Sequence, residues 1–97
     1  MTDRAARPSS RTLTRAQRAI TDLMDDLDRA DPLHEAQFAA LETVLSLLRA
    51  DSTHTGRSGN AIRLLREALG SARATVVATG YALTRTDDLR RARKEAS

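Results

Sequence analysis

The sequence predicts an all-α fold: a small, self-associating bundle of three main helices at about 15–30, 32–50 and 60–80, with a short fourth helix at about 86–95. Three observations carry this. Apolar residues recur at alternating steps of three and four from Leu13 to Ala30 and again from Ile62 to Val76. Between them, PLHEAQFAALETVLSLL at 32–48 is the most apolar run in the chain. No strand partner exists for the one β-branched stretch, Thr75-Val76-Val77.

The first helix is expected after Thr14, where Thr14-Arg-Ala-Gln17 fits a capping box. Leu13, Ala16, Ile20, Leu23, Leu27 and Ala30 form its seam, widened by Ala19 and Met24, while Asp22, Asp25, Asp26 and Asp28 lie outside it. Pro32 disfavours helical geometry at Asp31 and suits a first helical position, so Asp31 is the expected cap of a second helix. Were the chain only to kink here, its outline would be two long helices joined by a glycine-containing loop. That outline is similar to the WXG100 helical hairpins. The Trp-x-Gly of that family is absent, and Tyr81 is followed four residues later by Arg85 rather than an acid. No family is assigned.

The second helix is the expected centre of the fold. At about 100° per residue its apolar side chains span an arc of about 200°, against roughly 100° for an ordinary surface helix. Such an arc needs neighbours on two sides. Gln37 and His34 interrupt it, either as first-turn residues reaching water or as a polar pair that sets the register of a helix interface. A polar loop follows at 51–60, containing Gly56 and Gly59. The third helix starts near Asn60, with Ile62, Leu65, Leu69, Ala72 and Val76 as its inward stripe and Leu64, Ala68 and Thr75 broadening it. Gly80 is a candidate C-terminal cap, with continuation to about Arg93 as the alternative.

This divides the 97 residues into a flexible basic arm at 1–11, a helical domain at 12–84 and a basic tail or short helix at 85–97. The net charge of +3 is unevenly spread: +4 over residues 1–18, −6 over 19–56 and +5 over 57–97. There is no cysteine and hence no disulfide or thiol chemistry. No apolar run is long enough to span a membrane, and the N-terminus lacks a signal-peptide pattern. A cytoplasmic location is expected. Fifteen arginines against one lysine, with abundant alanine, suggest a GC-rich bacterial genome.

Catalysis is not expected. The two histidines show no metal-ligand spacing, and the acids of the first helix lie on its solvated face. No metal or cofactor is anticipated. The expected function is a non-catalytic protein–protein interaction module, a homodimeric regulatory or adaptor protein, with Ile20, Leu23, Leu27, Gln37, Leu41, Leu45, Leu48, Leu65 and Leu69 forming its core and interface. The alternative is nucleic-acid binding through the arginine-rich ends: Arg4, Arg7, Arg11, Arg15 and Arg18 at one, Arg90, Arg91, Arg93 and Lys94 at the other. Interleaved aromatics for stacking on single strands are absent. A weaker alternative is anion or nucleotide sensing where Arg57, Ser58, Gly59, Asn60 and Arg63 meet a helix N-terminus. The phosphate-loop pattern is absent there.

Overall fold

A computed structural model describes residues 9–52 and 59–96. Among these the chain forms three helices: α1 (Ser10–Asp26), α2 (Pro32–Ser52) and α3 (Gly59–Ala96). No strand occurs among the described residues.

The first helix begins earlier than Thr14. Ser9 is the cap: its Oγ accepts from the Thr12 amide at 3.1 Å, and its carbonyl accepts from the Leu13 amide at 3.0 Å. A serine three residues before a free backbone N–H satisfies that donor as well as a threonine does, and helix propensity over 10–14 offers no obstacle. Arg11 is therefore helical, and Thr14 is an exposed interior position. The helix also stops short of residue 30, at Leu27, whose backbone is extended.

What stops it is the corner at 28–35, a set of short-range hydrogen bonds. The Asp28 carboxylate accepts the Ala30 amide at 3.0 Å, and its carbonyl accepts the Asp31 amide at 2.9 Å. Asp31 caps α2 as the sequence predicts, its Oδ1 accepting the Leu33 amide at 2.8 Å. His34 Nδ1 accepts the Asp28 amide at 3.2 Å. Arg29 closes the corner with two parallel bonds to Glu35, each 3.1 Å, while its guanidinium lies 4.1 Å above the Phe38 ring centre. The chain is broken here, not kinked.

Gly80 does not end the third helix. α3 runs 38 residues without interruption, about 57 Å at 1.5 Å per residue, so a separate fourth helix at 86–95 does not form. A Cβ at Gly80 would meet nothing within 4 Å. The position tolerates any helix former, and one glycine costs too little to stop a helix this long.

α2 and α3 pair antiparallel: Pro32 and Leu33 lie beside Ala82, Thr43 beside Thr75, and Ser46 beside Ser71. The residues facing inward are small. Ala36, Ala39, Thr43, Ser46 and Ala50 recur at steps of 3, 4, 3 and 4 on α2, and Ala61, Leu64, Ala68, Ser71, Thr75, Ala78 and Ala82 continue the same rhythm on α3. All are buried or half-buried. Two of the hydroxyls in this seam are satisfied within their own helices. Thr43 Oγ1 donates to the Ala39 carbonyl at 3.0 Å, and Thr75 Oγ1 to the Ser71 carbonyl at 2.8 Å. Their burial therefore leaves no donor unpaired.

The inward stripe expected on the third helix is thus reversed. Ile62, Leu65 and Leu69 are about half exposed, and Val76 is 73% exposed, whereas Leu64 and Ala68 are buried. Both rows have heptad spacing, so periodicity alone does not choose between them. Small side chains win because they let the backbones approach towards the short end of the 8–10 Å range for packed helices. α1 packs on the far side of α2 through Leu13, Ile20, Met24 and Leu27.

Two outcomes test this account. Replacing Gly80 with Ala should stabilise the protein by about 0.5–1 kcal/mol, read as a rise in the thermal midpoint; a left-handed cap at Gly80 would give a loss instead. Arg29 holds the Glu35 carboxyl below its usual range through the paired hydrogen bonds. A depressed carboxylate contributes stability above its unfolded value and loses it as pH falls through the folded one. The stability difference between wild type and Glu35→Gln should therefore shrink as pH drops from about 6 towards about 3, measured by urea titration at each pH.

Candidate interaction surface

The seam decides which residues are left outside. On α2 the row Leu33, Gln37, Ala40, Val44 and Leu47 lies about 100° round the helix from the seam. On α3 the row Ile62, Leu65, Leu69, Ala72, Val76, Thr79 and Leu83 likewise lies about 100° round from its own. In an antiparallel pair these two offsets carry both rows to the same side. The structure shows this directly, since Ala40 and Thr43 line one cleft with Ala72 and Thr75. Ala40 also lines a second cleft with Leu23, Leu27, Gln37 and Leu41, so the apolar face continues from α3 across α2 to the edge of α1.

Leu33, Val44, Leu47, Ile62, Leu65, Leu69, Val76 and Leu83 are each between 43% and 73% exposed. Eight large apolar side chains so exposed on one side form a continuous apolar surface of the kind that marks an interaction site. No charged residue occurs in either row from Leu33 to Leu47 or from Ile62 to Leu83; the first charges along the rows are Asp51 and Arg90, beyond the ends. The opposite side of the hairpin is different in character. There Met24, Glu42, Ser46, Arg49, Glu67 and Ser71 line a mixed cleft.

The residues expected to form core and interface divide. Leu45 is buried, while Ile20, Leu27, Leu41 and Leu48 are half-buried. Leu23, Gln37, Leu65 and Leu69 are exposed, so the last two do not build the intramolecular core. His34 and Gln37 form no polar pair: His34 holds the corner, and Gln37 stands at the rim of the α1–α2 cleft. Sequence reasoning missed Ala36, Ala39, Ala61 and Ala82 as the contact row. Their 3-4 spacing was the available signal.

The arginine-rich ends are not brought together. α1 and α3 both run antiparallel to α2, so Arg11, Arg15 and Arg18 on α1 and Arg90, Arg91, Arg93 and Lys94 on α3 stand towards opposite ends of a molecule 61 Å long. Arg11, Arg15 and Arg18 share one shallow cleft with Ser10 and Thr14. Arg91 pairs with Asp87 at 3.0 Å and Asp88 at 3.5 Å. Arg4 and Arg7 lie outside the described residues, as do Arg57 and Ser58 of the anion candidate. Of the remainder, Gly59 and Asn60 open α3, and Arg63 is paired with Glu67 at 2.9 Å. No described group of three or more acids and histidines is arranged to hold a metal ion, and no described helix is long and apolar enough to cross a membrane.

Comparison of the chain with protein-family models, curated proteins and solved structures gives no match.

Two adjacent residues separate the seam from the face. Ala68→Leu should overpack the seam and destabilise by about 1–3 kcal/mol. Leu69→Gln should change stability by less than about 0.5 kcal/mol. Denaturant midpoints in dilute solution, where copies do not associate, give both values.

Proposed function

We propose that this chain is a non-catalytic helical interaction module, a regulatory or adaptor protein of the cytoplasm, whose apolar face receives helical partner protein. The observation that supports this is the placement of two charge-free heptad rows on one side of an antiparallel hairpin. A face of this kind suits the apolar stripe of an amphipathic helix, which offers anchors at i, i+3, i+4 and i+7. Ridges of leucine and valine flank a floor of Ala40, Thr43, Ala72 and Thr75, leaving room for a third helix to settle against the pair. The residues assigned to binding are Leu33, Val44, Leu47, Leu65, Leu69 and Val76. Nucleic-acid binding and anion sensing rank behind this reading. The arginine clusters stand apart along the molecule, and Arg63 is already paired with Glu67.

Selection of a displayed library of amphipathic helices against the full-length protein tests the proposal. Enriched sequences should carry apolar anchors at helical spacing and bind wild type at least tenfold better than Leu65→Glu/Leu69→Glu. Absence of enrichment against a form shown to be monomeric by sedimentation, wild type or Ala72→Glu, or equal binding to the double variant, would overturn it.

A further inference from the structure

Resting on the reading of this face as an interaction surface, we propose that its occupant is a second copy of the chain, docked about a two-fold axis that sets Ala72 against Ala72. Two properties of the face support this occupant.

The first is area. Eight large apolar side chains along both helices stand 43% to 73% exposed on one side, and a standard-size stable interface draws ~800 Å² from each partner. A single added helix would cover the α2–α3 trough and leave part of both rows wet. A second hairpin covers both rows at once, and two hairpins face to face form a four-helix core.

The second is self-complementarity. A two-fold interface requires that when residue i meets j, j also meets i. The α3 row, Ile62-Leu65-Leu69-Ala72-Val76-Thr79-Leu83, has nearly the same profile in both directions about Ala72. Laid antiparallel on its copy, it sets Ile62 against Leu83, Leu65 against Thr79 and Leu69 against Val76, each pair occurring twice, with Thr79 the one polar member. The smallest side chain falls at the centre, where the two backbones must come closest. The register of α2 on α3 carries the same axis to the stretch between Ala40 and Val44, so both rows close about one point. No charge lies on the α3 row or between Gln37 and Leu47 on α2, and Asp51 falls at the rim of the contact, opposite Leu33.

The self-contact at Ala72 can be tested by charge exchange at that single position. In sedimentation velocity on the full-length protein, wild type should run at twice the 10.6 kDa chain mass. Ala72→Glu and Ala72→Lys should each run as monomers with helical circular dichroism retained, because each sets like charges against one another across the axis. An equimolar mixture should return to the dimer mass. A wild-type monomer at every concentration overturns the inference. So does a dimer that persists in both variants, or a mixture that fails to reassociate. If either charged variant loses its helical signal, a nitroxide on Ala72→Cys, the sole thiol in the chain, supplies the same information. Two copies should place the labels on the order of 20 Å apart or less, given helix axes 8–10 Å apart plus two label arms; no measurable coupling overturns the inference. A monomeric chain that still binds the selected helices through Leu65 and Leu69 would remove this inference and leave the module reading intact. Failure of both experiments would remove both.

Discussion

The contact between α2 and α3 is built almost wholly from alanine, serine and threonine, and the rest of the molecule follows from it. Small side chains allow two backbones to pack closely along the 21 residues of α2, but each buried methyl contributes only about 0.8 kcal/mol, against roughly 1.5–3 kcal/mol for a leucine or valine. No large side chain among the described residues is completely buried. The hairpin therefore gains its geometry from close approach and has little hydrophobic stabilisation in reserve. The large apolar residues, which would supply that reserve, stand on the neighbouring face.

That displacement links packing to function. On each helix the heptad of small residues and the heptad of large ones are separated by about a quarter to a third of a turn. Burying the first necessarily exposes the second on a single side. A domain of this size seldom has stabilisation to spare, and covering the outer rows would add the missing burial by mass action. An exposed heptad row is consequently a thermodynamic deficit, which any occupant of the face would reduce.

The corner at 28–35 places the third element. Its backbone and side-chain hydrogen bonds and the Arg29–Glu35 pair close within eight residues, with Arg29 lying over Phe38 in the second turn of α2. Nearly all of these interactions are local in sequence, and the corner turns α1 back along α2, with Met24 reaching the mixed cleft on the other side of the hairpin. That leaves the apolar face of the hairpin open, with Leu23 and Leu27 extending its edge. Were α1 to fold over the other flank, it would cover Leu33, Val44 and Leu47.

Much of this was legible in the residues themselves. The helical class, the break at Asp31-Pro32, the Asp31 cap and the extent of α2 all depend on interactions within a few positions, and local patterns report local interactions. The start at Ser9 was missed because two capping signals lie five residues apart, Ser9 before Thr12 and Thr14 before Gln17, and either can satisfy the first free amides of a helix that begins after it. The passage of α3 through Gly80 turned on a glycine whose meaning depends on its surroundings. Only the tertiary structure decided which of two equivalent heptads on α3 faces inward. Hydrophobicity ranks Ile62, Leu65 and Leu69 above Ala61, Ala68 and Ala82, but closeness of approach between two helices is a property of the pair, and a single helix's sequence does not contain it.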